Sequence, residues 1–318
     1  MSMFRIAIAA ASLIVSSAFA QSYPNKPITL VVSFAAGSGT DSVARIVSQK
    51  LAERLKQPVI VDNKPGANGQ IAAEYVKNAK ADGYTLWMTT NTTHSANPSL
   101  YKELRYDPVK DFTPIVFVGE LPFALVVNND VPAKNLKEFI AYARANPGKI
   151  SYATPNSTSL VGSETMRVLG KLDMVGIPYK ASPQALTDTI GGQVQMYIVD
   201  LGSGLTNMKA GKVRTIAVTP KAGTKLLPDQ PPIAKEIPGF DLTSWNGIFG
   251  PAGLPKEVVE TISKNVQAVV GEKEVQDKLE AIGFEARPSK SPEEFRKYVS
   301  DQLAHWTRLV KAAGIKPE

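Results

Sequence analysis

The 318-residue sequence contains no cysteine and only two histidines, His94 and His305. The lack of cysteine excludes disulfides, thiol catalysis and cysteine-based metal sites. Basic residues are scattered and form no run of five, so the formal net charge of +7 does not indicate a nucleic-acid partner. A mild basic excess instead favours small anionic ligands through long-range attraction.

The first twenty residues have the features of a signal peptide. Arg5 precedes an apolar stretch from Ile6 to Val15, and Ala18-Phe19-Ala20 has the small-x-small form of a cleavage site. The stretch is shorter than the roughly 20 residues that a permanent membrane helix needs, and no second long apolar segment follows. An N-terminal core helix is the alternative. These features predict export and cleavage after Ala20. Because no cysteine follows the cleavage site to carry a lipid, we expect the mature protein to be free in the periplasm.

From Lys26 onward, short β-rich runs alternate with amphipathic helices, which predicts an α/β fold. Strands at 28–34, 59–61 and 84–89, separated by helices, imply a mostly parallel sheet with helices on both faces. A second α/β unit begins near Leu121, and three helices follow Pro255. We expect this helical tail to return to the first unit. The predicted domain 1 is therefore 21–120 plus 240–318, domain 2 is 121–239, and a ligand cleft lies between them.

A glycine-rich loop follows the first strand and opens a helix. Free N–H groups and the helix dipole at such a position favour an anion. Gly37 and Gly39 allow close approach of the backbone, while Ser38 and Thr40 can donate hydroxyls or cap the helix. We expect Asp41 to hydrogen-bond within the loop or to favour the helix dipole. The loop lacks the Walker and dinucleotide patterns, which leaves a carboxylate site or a plain structural turn.

The second unit contains a matching arrangement, in which Asn156, Ser157, Thr158 and Ser159 open a helix after a strand. Two such loops facing each other across a cleft can hold both ends of a dicarboxylate. The alternative is ordinary helix capping, for which serine and threonine are equally suited.

The sequence gives little support to catalysis. His94 follows the third strand, at the expected cleft side of the sheet, but no Gly-x-Ser-x-Gly elbow presents a nucleophile to it. Asp107 and Asp111 have no histidine nearby and do not form a convincing metal site. We expect no enzyme activity, metal or cofactor, with a hydrolase of carboxylate esters or amides as an alternative.

A series of short motifs, in order along the mature chain, resembles the Bug-type periplasmic solute-binding proteins of the tripartite tricarboxylate transporter (TTT) family. These motifs are Tyr23-Pro24-x-x-Pro27-Ile28, Phe34–Asp41, Asn63–Gly69, Asp82–Leu86, Asn97–Tyr101, Tyr106-Asp107-Pro108, Ala145–Lys149, Pro178-Tyr179-Lys180, Gly191–Val194, Trp245-Asn246-Gly247 and Pro251-Ala252-Gly253.

The resemblance implies a two-domain type II periplasmic-binding-protein-like fold that closes on its ligand by hinge motion. It also implies capture of a di- or tricarboxylate, an acidic amino acid or an aromatic carboxylate, and delivery to integral-membrane TTT subunits. A monomer is expected. The ligand-binding residues implied are Ala36, Gly37, Ser38, Gly39, Thr40, Asn91, Thr92, Asn156, Ser157, Thr158, Ser159 and Asp200.

Three positions depart from the family pattern. Ser38 stands where a second glycine is frequent, Val161-Gly162 where His-Leu is usual, and Pro231-Pro232 where Pro-Thr is usual. The less polar second-domain wall favours an aromatic dicarboxylate such as a phthalate-type diacid. A periplasmic sensor that presents the acid to a membrane kinase shares the same pocket and stays open as an alternative.

Overall fold

The computed structural model describes residues 23–317, so the predicted signal peptide at residues 1–20 lies outside the described residues. No helix between residues 23 and 317 is both long and apolar enough to cross a membrane. The strands are β1 (Ile28–Val32), β2 (Val59–Asn63), β3 (Thr85–Thr90), β4 (Phe112–Leu121), β5 (Phe123–Val127), β6 (Ile150–Thr154), β7 (Met174–Pro178), β8 (Met196–Asp200), β9 (Arg214–Val218), β10 (Ser244–Pro251) and β11 (Glu285–Ala286).

The helices alternate with these strands and then continue to the C-terminus. They are α1 (Gly39–Leu55), α2 (Gln70–Lys77), α3 (Asn97–Leu100), α4 (Leu136–Ala145), α5 (Ser157–Gly170), α6 (Ser182–Ile190), α7 (Leu201–Lys209), α8 (Lys256–Gly271), α9 (Lys273–Ala281) and α10 (Pro292–Ala312). A π-helical turn, Thr92–Ala96, joins β3 to α3.

The first sheet has the strand order β11-β4-β10-β3-β1-β2. β1 pairs in parallel with β2 and β3, as the β-α-β-α-β order predicts. β10 runs antiparallel to both β3 and β4, and β11 runs antiparallel to β4. The prediction of a parallel sheet therefore holds for β1, β2 and β3 and is wrong for β4, β10 and β11. The reason is topological: β4 leads out to the second sheet and β10 leads back, so these neighbours run in opposite directions.

The second sheet has the order β7-β6-β8-β5-β9. β6 pairs in parallel with β7 and β8, whereas β5 is antiparallel to β8 and β9. The chain enters this sheet between Leu121 and Phe123 and has left it by Ser244. The molecule thus has two lobes, each with its own sheet.

The C-terminal helices pack mainly on the first sheet. Helices α8 and α10 both contact β4, and α8 also contacts α1. Trp306 and Val310 of α10 belong to the same buried apolar cluster as Val161 and Met166 of α5. Helix α10 therefore packs against both lobes.

Candidate functional site

A narrow cavity lies between the two lobes and encloses about 290 Å³ of space, including its opening. Its walls come from both sheets, mostly from strand ends and from the residues that follow them. The lining residues are Phe34, Ser38, Gly39, Thr40, Thr90, Thr92, Leu121, Phe123, Asn156, Thr158, Ser182, Asp200 and Ser244.

Within residues 23–317, four helices longer than eight residues begin at this cavity. Helix α1 begins beside Ser38, α5 beside Asn156, α6 at Ser182 and α7 beside Asp200. Each follows a loop or strand end that lies at the lobe boundary. Every helix N-terminus carries a partial positive charge, so these four termini favour an anion in the cavity, whereas the Asp200 carboxylate at the start of α7 opposes one. No Lys or Arg is among the lining residues of the described chain.

The first turn of α1 is held by a hydrogen-bond network around Asp41. Ser38 caps the helix by accepting from the Asp41 N–H at 3.2 Å. The Asp41 carboxylate accepts from the Gly37 N–H at 2.9 Å, from Arg45 Nε at 3.0 Å and from Asn63 Nδ2 at 2.9 Å. Burial raises the pKa of Asp41, but these donors outweigh it, so the pKa lies below its usual value. The prediction that Asp41 hydrogen-bonds within the loop is confirmed.

Asp200 is the one ionisable side chain among the described residues that line the cavity. Its Oδ1 accepts from the Ser203 N–H at 2.7 Å and so caps α7. Burial raises the pKa of Asp200, while N–H groups of Ser203 and Gly39 act in the opposite direction. The Asp200 carboxylate therefore lies between the N-termini of α1 and α7.

Glycine is required where these two helices meet. A Cβ at Gly39 would lie 2.3 Å from Asp200 Oδ1, and a Cβ at Gly202 would lie 2.5 Å from the Gly39 Cα. No side chain fits at such distances without movement of one lobe. The two glycines thus permit the close approach of α1 and α7.

The structure brings seven of the twelve sequence-predicted residues to the cavity wall: Ser38, Gly39, Thr40, Thr92, Asn156, Thr158 and Asp200. The other five, Ala36, Gly37, Asn91, Ser157 and Ser159, are not among its lining residues. Ala36 and Gly37 are exposed. Ser159 donates to the Ile198 carbonyl at 2.8 Å, which ties α5 to its own sheet.

Asn91 and Ser157 link the lobes instead of facing the cavity. Asn91 Nδ2 donates to Thr158 Oγ1 at 2.9 Å, and Ser157 Oγ donates to Asn97 Oδ1 at 3.1 Å. Asn91 also accepts from the Ser244 hydroxyl. These contacts join α5 to the segment after β3, so the lobes are closed around the cavity.

Sequence reasoning missed six lining residues: Phe34, Thr90, Leu121, Phe123, Ser182 and Ser244. Ser182 had a usable local signal, because the pair Ser182-Pro183 is typical of the start of a helix. Ser244 lies in β10, a strand that the sequence pattern did not predict.

His94 lies outside the site. It is fully buried and stacks on Phe249 with 3.9 Å between ring centroids. Burial lowers the pKa of His94 to about 3. His94 follows β3 in the same turn as the cavity-lining Thr92, as the sequence indicates, but its ring packs among aromatic side chains and does not line the cavity. Nor does the described chain contain a group of three or more acidic or histidine side chains that could hold a metal ion.

Comparisons with known proteins match this architecture. The family model of the tripartite tricarboxylate transporter family receptor matches residues 43–315. A UPF0065 protein of Bordetella bronchiseptica is 35% identical over 308 residues, covering 96% of this chain and 91% of that protein.

Three solved structures have similar folds. R. palustris Rpa4515 with adipate is 33% identical with a TM-score of 0.89, covering 93% of this chain and 100% of that one. Periplasmic binding protein BugD is 32% identical with a TM-score of 0.87 and coverages of 93% and 100%. MatC from Rhodopseudomonas palustris with bound malate is 31% identical with a TM-score of 0.85 and coverages of 91% and 100%. The predicted two-domain α/β fold of the Bug type is confirmed.

Proposed function

Because this chain belongs to the tripartite tricarboxylate transporter receptor family, we propose that it captures a small carboxylate between its lobes. We further propose that it does so in the periplasm and delivers the acid to membrane transporter subunits. The observation that carries the proposal is the convergence of four helix N-termini on one cavity. A carboxylate is the ligand group that such an arrangement recognises.

The donors available to the ligand are neutral. The cavity is lined by Ser38, Thr40, Thr158 and Ser182, which carry hydroxyls and lie at the starts of α1, α5 and α6. Neutral donors stabilise an anion without a fixed ion pair, which keeps release possible at the transporter. This suits a protein that must bind and then hand over its ligand.

The ligand class follows from the walls and from the relatives. Rpa4515 and MatC were solved with adipate and malate, both dicarboxylates. Phe34, Leu121 and Phe123 add apolar surface beside the donors. We therefore propose an aliphatic di- or tricarboxylate or an aromatic dicarboxylate as the ligand.

A thermal-shift screen of the chain from Gln21 onward tests the proposal. The panel contains aliphatic di- and tricarboxylates, acidic amino acids, and aromatic mono- and diacids. A ligand that binds only the folded state adds about 2.7 kcal/mol at a hundredfold excess over its Kd, enough to raise Tm by several degrees.

The matched control is the methyl ester of each active acid, which keeps the shape and removes the charge. We expect acids to shift Tm and their esters to lose the shift. Equal shifts with acid and ester, or no shift with any acid, would contradict carboxylate capture. Release of alcohol from an ester would point to the hydrolase alternative.

A further inference from the structure

A second and larger space adjoins the cavity on the same side of the lobe boundary. We call it the outer chamber. It encloses about 1300 Å³, including its opening to solvent, and it shares Phe34, Ser38 and Ser182 with the inner cavity. Its walls are the loop after β1, the segment Pro65–Gly69 after β2, Thr154-Pro155 and the segment Pro178–Ser182 after β7. A ligand longer than the inner cavity can therefore reach the outer chamber past the residues that the two spaces share.

The two spaces differ in charge. The inner cavity is lined by one carboxylate, Asp200, and by no cation. The outer chamber is lined by one cation, Lys180, and by no carboxylate among the described residues. Lys180 is exposed, and no salt bridge to it occurs within residues 23–317. A second carboxylate placed beside Asp200 meets repulsion, whereas one placed in the outer chamber meets a positive charge.

The body of the outer chamber is apolar and conformationally fixed. Phe34, Pro65, Pro155 and Pro178 contribute hydrocarbon surface without flexible chains. In the wall formed by the first lobe, Ala67 and Asn68 adopt φ values of 46° and 50°.

Backbone in that left-handed region costs energy for residues other than glycine and persists only when neighbours hold it. Two hydrogen bonds do so: Asn68 Nδ2 donates to Tyr101 Oη at 2.7 Å, and Asn97 Nδ2 donates to the Asn68 carbonyl at 2.9 Å. The wall is thus preformed, as a ligand subsite requires.

Lys180 lies close to a residue that the two spaces share. Ser182 lines both, and Lys180 is two residues away, so the two Cα atoms are at most about 7 Å apart. A diacid with its carboxylates at opposite ends of a short chain or ring can place one group among the inner donors and the other beside Lys180. In a diacid with adjacent carboxylates both groups stay in the same space, so the second group gains less from the charge of Lys180.

We propose that the outer chamber is a second ligand subsite, in which Lys180 binds the far carboxylate of an elongated diacid while the near carboxylate occupies the inner cavity. This inference rests on the proposed function and names its substrate class: diacids with separated carboxylates, aliphatic or para-aromatic, in preference to compact diacids and monoacids.

Positional isomers provide the sharpest probe, because terephthalate and phthalate have equal mass, charge and apolar area. Isothermal titration calorimetry compares these two isomers, and it compares adipate with the shorter succinate as an aliphatic pair. Benzoate and hexanoate serve as monoacid references. We expect each elongated diacid to bind at least tenfold more tightly than its compact partner.

The substitution Lys180→Met removes the charge and keeps much of the side-chain length. It should weaken terephthalate and adipate by about tenfold, as for one charge-assisted contact in a partly solvated site, and leave benzoate and hexanoate unchanged. Lys180→Arg should restore most of the affinity. Lys149→Met is the matched control, since Lys149 is also an exposed lysine beside the second sheet but precedes β6, at the opposite end of the strands from Lys180.

The possible outcomes distinguish a failure of the subsite proposal from a failure of the proposed function. Equal affinity for the isomers, or an equal loss for mono- and diacids in Lys180→Met, overturns the subsite and leaves carboxylate capture intact. Binding of none of the acids overturns the proposed function, and the subsite with it.

Discussion

At the residue scale, Asp200 gives the site a dependence on pH. Its carboxylate caps α7 and also lines the cavity, and burial raises its pKa. An incoming carboxylate adds a negative charge nearby and so favours the protonated form of Asp200. Tyr197 is a titratable group close to Asp200, and burial raises its pKa as well, which keeps it neutral.

We therefore predict that acid binding takes up a proton and weakens as the pH rises. The variant Asp200→Asn can still cap α7 and should bind acids with little dependence on pH. Calorimetry in two buffers with different ionisation enthalpies measures the proton uptake. A pH dependence that is the same in wild type and variant would rule out this role for Asp200.

His94 gives the folded state a different dependence on pH. Its pKa falls from an ordinary 6.5 to about 3 in the folded protein because of burial. The unfolded chain thus binds more protons between these values, so stability is complete above pH 6.5 and is lost as the pH falls toward 3. At pH 5.5 the loss is about 1.4 kcal/mol.

The variant His94→Phe keeps an aromatic ring beside Phe249 and removes the titration. We expect its free energy of unfolding, measured in urea from pH 5 to 8, to vary less steeply with pH than that of the wild type. Parallel curves for the two proteins would show that His94 does not control the acid side of stability.

At the element scale, the sequence predicted the parts of the fold that depend on local signals. The starts of α1 and α5 follow from Ser38 and Asn156, and the structure has both caps. The sequence did not predict strands β4 and β10. Pro114 and Gly119 interrupt the apolar pattern of β4, and Gly247 and Gly250 interrupt that of β10. The reason for Gly247 is tertiary: a Cβ there would lie 2.2 Å from Phe295 Cζ of α10.

The same difference between local and tertiary signals explains which site residues could be predicted from the sequence. Residues that open a helix after a strand have a local signature, as Thr40 and Thr158 do. Leu121 and Ser244 come to the cavity because β4 pairs with β10, and Phe123 comes to it because β5 pairs with β8, which ends at Asp200. No local pattern encodes a pairing between segments more than a hundred residues apart.

The contact between α1 and α7 yields a prediction about closure. In Gly202→Ala the new methyl group would lie 2.5 Å from the Gly39 Cα, so the lobes cannot close as described. We expect the variant to fold and to lose at least tenfold in acid affinity, because the donors from the two lobes no longer meet. Calorimetry measures the affinity and circular dichroism the fold.

Gly271→Ala is the control for that substitution. Gly271 ends α8 and has no positive φ, and a Cβ at this position would have no neighbouring atom within 4 Å. We expect Gly271→Ala to bind acids with the affinity of the wild type. Unchanged affinity in Gly202→Ala would mean that the ligand binds without this close approach of the helices.

At the scale of the whole molecule, β4 and β10 carry the chain between the lobes and α10 packs against both. We propose that residues 21–120 with 240–318 form one moving body and residues 121–239 the other. Such lobes open and close around the crossing strands.

Small-angle X-ray scattering tests this movement. We expect the radius of gyration of the ligand-free protein to fall when a binding acid is added, and that of Gly202→Ala to stay at the larger value. An unchanged radius of gyration in the wild type upon saturation would contradict closure by the ligand.

The helix N-termini at the cavity have a consequence for how this protein can diversify. The partial positive charges at the starts of α1, α5, α6 and α7 belong to the main chain, so side-chain substitutions do not remove them. Substitutions in the walls can alter the shape of the accepted acid while the attraction for an acid persists. A library randomised at Phe34, Leu121 and Phe123 should therefore yield new acid preferences far more readily than it yields receptors for cations.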